Sequence, residues 1–160
     1  MVKLGLSLEG IATSLDLEEG LARRLALIAD EVRVPIDCDA DIVSARQKGR
    51  ELASQCGFPT TDLAVIATAI SELARNIVRY AVHGDVLVRL VEADGKRGIE
   101  VTASDDGPGI ADITLALQDG YSTSGGLGLG LPGTRRLMDE FELLSDFGKG
   151  TKVTVRRWKR

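Results

Sequence analysis

Apolar residues recur along this chain with two periods, and the changeovers mark its elements. Leu17, Leu21, Leu25 and Ile28 fall at helical spacing and predict an amphipathic helix in a leading segment, residues 1–30. Val32, Val34 and Ile36 alternate, which predicts a strand over 31–37. Ile42, Ala45, Gly49, Leu52 and Cys56 return to helical spacing. Asp39 or Asp41 can cap that helix, and Gly57 suits its C-terminal stop. Phe58-Pro59 forms a turn. Thr60 or Thr61 then caps a long helix that runs to about Val82 and ends by Gly84.

Beyond Gly84 the period is two. Val86, Val88 and Leu90 alternate, Asp94-Gly95 marks a hairpin turn, and Ile99, Val101 and Ala103 continue the second strand. A loop Asp105–Ile110, a short helix near Asp112–Gln118 and a glycine-rich loop Gly120–Gly130 follow. A helix is expected over about Pro132–Phe141. A last hairpin runs Glu142–Ser145, turns at Gly148-Lys149-Gly150 and returns through Thr151–Trp158. Strands joined by hairpins make a mixed, mainly antiparallel sheet, and the helices must cover one of its faces. The expected fold is a two-layer α/β (α+β) sandwich over residues 31–160, with residues 1–30 as an N-terminal extension.

Composition narrows the picture. The chain has 160 residues, enough for one domain with its own core. Its longest apolar runs, Leu25–Ala29 and Leu63–Ala67, are too short to span a membrane. No secretory signal opens the sequence, so the cytoplasm is the expected location. A net charge of −4 argues against nucleic acid as the main partner. The basic run Arg156-Arg157-Trp158-Lys159-Arg160 reads as a solvated chain end. Cys38 and Cys56 cannot make a disulfide framework or a zinc site, and both lie in apolar patterns as expected buried thiols. His83 is the one histidine, which removes most Ser-His-Asp and His-metal chemistry. Ten of the 18 glycines lie between Gly107 and Gly150, so tight loops should bring backbone close to something there.

Four segments carry candidate chemistry. On the long helix, Glu72 and Asn76 are one turn apart on one face, and Arg79 extends that face. A neutral amide oxygen can ligate Mg²⁺, a neighbouring carboxylate can act as a base, and an arginine can hold a phosphate oxygen. Read alone, an ordinary solvated helix face is the better reading of this segment. Asp105-Asp106-Gly107-Pro108-Gly109-Ile110 follows a strand; a carboxylate there can accept from the exocyclic amine of a base, though Asp-Gly turns are common. Ser124-Gly125-Gly126-Leu127-Gly128-Leu129-Gly130-Leu131 offers backbone N–H groups leading into a helix, a ready anion site. It is not a Walker A loop, because no Gly-Lys-Ser/Thr follows. Gly148-Lys149-Gly150-Thr151 closes the final hairpin and is by itself only a turn.

The four together, in this order, resemble the ATP-binding domain of the GHKL superfamily, which includes gyrase and the histidine kinases. Glu72-x-x-x-Asn76 matches its N box, and Asn76-x-x-Arg79-Tyr80 the histidine-kinase-like extension. Asp105-x-Gly107-x-Gly109 and Gly126-x-Gly128-x-Gly130 match its two glycine boxes, and Gly150-Thr151 its terminal threonine motif. The stretches Ala69–Ile77, Tyr121–Gly128 and Arg136–Phe141 narrow the resemblance to the small serine kinases that act as anti-sigma factors and partner switches.

That resemblance covers about residues 31–158 and implies the Bergerat-type ATP-binding fold. It implies Asn76 as a ligand of Mg²⁺ on the triphosphate and Glu72 as general base. It implies Asp105 as acceptor from the adenine amine with Thr151 nearby, and Gly107, Gly109 and Ile110 around the adenine. Ser124, Gly125, Gly126, Leu127, Gly128, Leu129 and Gly130 would form a lid over the phosphates, with Arg79 and Tyr80 on the phosphate and ribose side. The implied cofactors are ATP and Mg²⁺. The implied activity is an ATP-dependent serine/threonine kinase acting on STAS-domain stressosome proteins and then activating a PP2C-type phosphatase. The alternative is a nucleotide-responsive anti-sigma factor that works by sequestering a sigma factor; a plain ATPase ranks behind both. Autophosphorylation at His83 is not expected, because it lies at a helix end beside the dipole.

Overall fold

The two-residue alternation builds a single sheet. The computed structural model describes residues 2–5, 26–81, 83–109, 130–146 and 148–160. The strands are β1 (Val2–Gly5), β2 (Ala26–Ile36), β3 (Gly84–Ala93), β4 (Lys96–Asp105), β5 (Glu140–Asp146) and β6 (Gly150–Trp158). They lie in the order β1-β5-β6-β4-β3-β2, and every adjacent pair is antiparallel. Helices α1 (Asp39–Cys56) and α2 (Thr60–Tyr80) pack on each other and on the central strands, and α3 (Gly130–Leu137) packs on α2. The expected α/β sandwich is therefore present.

The core forms where the two periods meet. Ile66, Ile70, Leu73 and Ile77 line one stripe of α2, each at most 2% exposed. They join Val86 and Val88 of β3, Ile99 and Val101 of β4, Leu143 of β5 and Val155 of β6 in one cluster. Burying each of these α2 side chains contributes about 1.5–3 kcal/mol. The α1 stripe is as expected: Ile42, Ala45, Gly49, Leu52 and Cys56 are all buried. Gly49 is where α1 comes closest to α2, since a Cβ there would strike the end of Ile70.

The other face of the sheet carries a row of alternating charge. Strand register sets Glu31 opposite Arg89, Arg89 opposite Glu100, Glu100 opposite Arg156, and Arg156 opposite Glu140. Glu100 is only 1% exposed, and each of its oxygens takes an arginine Nε at 2.7 Å, from Arg89 and from Arg156. A carboxylate can sit there because both oxygens are paired with guanidinium groups.

Several expectations change. Strand β2 begins at Ala26, so Ile28 lies on a strand rather than on a helix, and Val2–Gly5 adds a strand beside β5. Sheet pairing has overridden a helical spacing built from few residues. Leu17, Leu21 and Leu25, the helix near Asp112–Gln118 and the loop 120–129 lie outside the described residues. Helix α2 starts after Pro59 and ends at Tyr80, with no side-chain cap from Thr60 or Thr61. Helix α3 ends at Leu137, because Phe141 alternates with Leu143 and Ser145 as an inward residue of β5. Cys56 is buried, but Cys38 is exposed. Cys38 precedes the apolar stripe and lies in the turn into α1, where Asp41 accepts the N–H groups of Asp37 (2.8 Å) and Cys38 (3.1 Å). These bonds, that of Asp37 foremost, hold the Asp41 carboxyl below its ordinary range.

Within the basic run at the end of the chain, Arg156 and Arg157 belong to β6 and are half-buried, while Lys159 and Arg160 are exposed. Arg157 pairs with Asp62 of α2 and donates to the carbonyl of Leu137 at 2.7 Å. Arg156 bridges Glu100 and Glu140, and Arg160 pairs with Asp139. Acidic partners from distant parts of the sequence neutralise three of its four cations, which a local reading cannot foresee.

Candidate functional site

Helix α2 carries one end of the candidate site. Glu72 is 7% exposed. Its Oε1 accepts from the Arg75 guanidinium at 2.7 Å, and its Oε2 accepts the backbone N–H of Gly130 at 3.2 Å. Gly130 opens α3, so this carboxylate joins the middle of α2 to the helix that follows the glycine-rich segment. Thr134, fully buried, donates back to the Gly130 carbonyl at 3.0 Å and fixes that first turn. Asn76 is half-buried one turn further along, and Arg79 and Tyr80 are exposed on the last turn. Glu72 is thus no ordinary solvated face residue.

The other end of the site lies where three strands meet. Asp105 ends β4, with Gly84 of β3 opposite on one side and Thr151 of β6 on the other. Its Oδ1 accepts the N–H of Gly107 at 2.9 Å, which curls the following loop back over the strand end. Burial raises the Asp105 carboxyl above the ordinary carboxylate range; the N–H groups of Gly107 and Thr151 pull it down, and Asp106 pushes it up. A half-buried carboxylate held this way is a strong acceptor for an N–H donor brought to it.

Glycine is required around Asp105 because backbone crowds there. A Cβ on Gly150 would strike the Asp105 carbonyl, and one on Gly84 would strike the carbonyl of Ser104. Gly150 also has φ +101, which other residues rarely adopt. A Cβ on Gly107 would come within 2.6 Å of Ala81, so that glycine lets the loop lie on the end of α2. Gly109 has φ +76.

One residue of this end was not foreseen. Ser145 of β5 is fully buried; its hydroxyl donates to the Gly150 carbonyl at 3.2 Å and lies 3.0 Å from the Thr151 hydroxyl. It stands opposite Thr151, so Asp105, Thr151 and Ser145 form one cross-strand row. The available signal was a polar residue at an inward position of a strand that otherwise buries Phe141 and Leu143. Arg75 was not singled out either, although it stands between Glu72 and Asn76. His83 lies in the connection after α2 and pairs with Asp37 at 2.9 Å, rather than capping a helix end. Ile110, Ser124, Gly125, Gly126, Leu127, Gly128 and Leu129 lie outside the described residues.

The two ends are set apart by α2 itself. Glu72 and Ala81 are nine positions apart, or about 14 Å at the helical rise. This is the scale of an extended nucleoside triphosphate.

Residues 34–157 match the histidine kinase-like ATPase domain, and the chain belongs to that family. The serine/threonine-protein kinase RsbT of Bacillus subtilis (strain 168) is 53% identical over 131 residues, covering 82% of this chain and 98% of that protein. An anti-sigma F factor of Caldanaerobacter subterraneus subsp. tengcongensis is 32% identical over 120 residues, covering 71% of this chain and 82% of the relative. The crystal structure of the RsbU and RsbW domains of Rv1364c from Mycobacterium tuberculosis shares the fold, with a TM-score of 0.56 and 21% identity. That match covers 81% of this chain and 32% of the other. The chain is an ATP-using serine/threonine-protein kinase of this family. Among the described residues no helix is long and apolar enough to cross a membrane.

Proposed function

We propose that this kinase acts in the cytoplasm on a serine or threonine of STAS-domain stressosome proteins and, once released from them, binds and activates a PP2C-type phosphatase. The observation that carries the reading is the placement of two buried or half-buried carboxylates along one helix, Glu72 at its middle beside Gly130 and Asp105 near its C-terminal end, where Gly107 lies against Ala81. One end suits a phosphate and its attacking hydroxyl, and the other suits a base.

Asp105 accepts the exocyclic amine of adenine, with Thr151 beside it and Gly107 and Gly109 shaping the pocket. Arg79 and Tyr80 serve the ribose and phosphate side. Glu72 takes the proton from the acceptor hydroxyl as its oxygen bonds to the terminal phosphorus and ADP departs with the bridging oxygen. Residues suited to Mg²⁺ are present. Asn76 offers a neutral oxygen on the same face as Glu72, and no cluster of three His, Cys, Asp or Glu is found among the described residues. That donor set fits a cation held mainly by nucleotide phosphates and water rather than by a protein cage. When bound, Mg²⁺ supplies neutralisation of the triphosphate charge. Positioning and neutralisation are most of what phosphoryl transfer needs.

The second reading is a nucleotide-responsive anti-sigma factor, favoured by relatives of that name at 32% identity. The test exposes the protein with Mg²⁺ and γ-labelled ATP to a STAS-domain scaffold, a PP2C-type phosphatase and a sigma factor, and assays label transfer and capture. Label on the scaffold and capture of the phosphatase support the first reading. Capture of the sigma factor alone contradicts it.

A further inference from the structure

The Arg75–Glu72 pair differs from a routine helix-surface ion pair. Pairs three or four residues apart on a solvated helix contribute about 0.2–0.5 kcal/mol. Here the Glu72 side chain is only 10% exposed, and Arg75 at 32% reaches in toward it. The carboxylate is held at both oxygens from two directions: by a guanidinium of its own helix at 2.7 Å and by a backbone N–H of α3 at 3.2 Å. A carboxylate has about four lone-pair sites, so two remain for a proton. With both oxygens anchored, the orientation of those remaining sites is fixed before a substrate arrives.

We infer that Arg75 is a positioning residue for phosphoryl transfer: it aims the Glu72 carboxylate, with Gly130 as the second anchor, at the hydroxyl that attacks. This inference rests on the reading of Glu72 as the base. Arg75 acts through Glu72 and is not assigned a contact with nucleotide. Arginine suits the task because its planar fork fixes direction as well as charge. Small misplacement of a reacting group can cost on the order of 10²-fold in rate. Loss of Arg75 should therefore lower kcat about 10- to 100-fold while leaving the binding of ATP intact.

The experiment compares Arg75→Ala, Arg75→Gln and Arg75→Lys, each alone and combined with Glu72→Gln. It measures single-turnover transfer of γ-phosphate to a STAS-domain scaffold, the Kd for Mg-ATP and the melting temperature. Expected for Arg75→Ala is the stated loss of rate with Kd within about twofold of the parent. Arg75→Lys should recover part of the rate, and none of the changes should lower the rate further in the Glu72→Gln background. Arg75→Gln keeps an N–H donor, so it tests aim without charge in a folded chain. A parental rate in Arg75→Ala while Glu72→Gln is inactive overturns the inference and leaves the base reading standing. An equal loss in both backgrounds, or a Kd weakened more than tenfold, overturns it too, because Arg75 would then act on the nucleotide itself. A parental rate in Glu72→Gln removes the base reading and the inference together.

Discussion

At Asp105 the proposed recognition of adenine and the stability of the fold depend on the same carboxylate. Removing its charge should weaken ATP binding about 10- to 100-fold, the range set by losing a hydrogen bond to a charged acceptor. Titration of nucleotide into Asp105→Asn measures it; unchanged affinity would contradict the adenine assignment. Stability should move the other way. Burial raises this carboxyl in the folded state above its unfolded value near 3.9. The native chain therefore binds the extra proton between those two values, and stability falls as pH rises through that window. At neutral pH the ionised group costs stability. Asp105→Asn should thus melt above the parent at pH 7, and its advantage should shrink as the pH is lowered toward the window. A lower melting temperature at pH 7 would show that the bonds from Gly107 and Thr151 outweigh burial. Asp105 was legible in the sequence because a carboxylate before Gly-x-Gly at a strand end is a local signal. Ser145 was not, since its partners Gly150 and Thr151 reach it through strand register. Its removal in Ser145→Ala should cost about 1 kcal/mol in denaturant unfolding.

Elements were legible where periodicity was long. The α1 stripe and the β3–β4 hairpin at Asp94-Gly95 stand where the spacing put them. Boundaries failed where tertiary pairing decides. Helix α3 gives way to β5 earlier than expected because Phe141 pairs across to Val155, and β2 reaches back to Ala26 along β3. The charge row across the sheet was invisible in one dimension, since Arg89, Glu100, Arg156 and Glu140 come from four strands. Its buried member gives a prediction at this scale. Glu100→Ala should lower stability by about 1–3 kcal/mol, because Arg89 loses its carboxylate while Arg156 keeps only Glu140. Equilibrium unfolding checks it, and a change below about 1 kcal/mol would mean that the row is solvated. Between the helices, Gly49→Leu should lose about 1–3 kcal/mol, since Ile70 occupies the space a side chain needs. A variant as stable as the parent would show that α1 can move away from α2.

For the whole molecule, the two ends of the candidate site share one frame: the C-terminal half of α2 runs between Glu72 and the loop at Asp105, and the β4–β6 pairing sets Asp105 beside Thr151. The fold class could be read, and the candidate residues nominated, from four short motifs because each needs a particular residue type. How they meet could not be read, because Gly130 reaches Glu72 across 58 positions. In the proposed mechanism Glu72 accepts the proton of the attacking hydroxyl. The direct measurement is single-turnover transfer from γ-labelled Mg-ATP to a STAS-domain scaffold by the parent and by Glu72→Gln, with ATP binding measured beside it. Retained binding and a rate about 10²–10⁴-fold lower are expected. Transfer by Glu72→Gln at the parental rate would contradict this role.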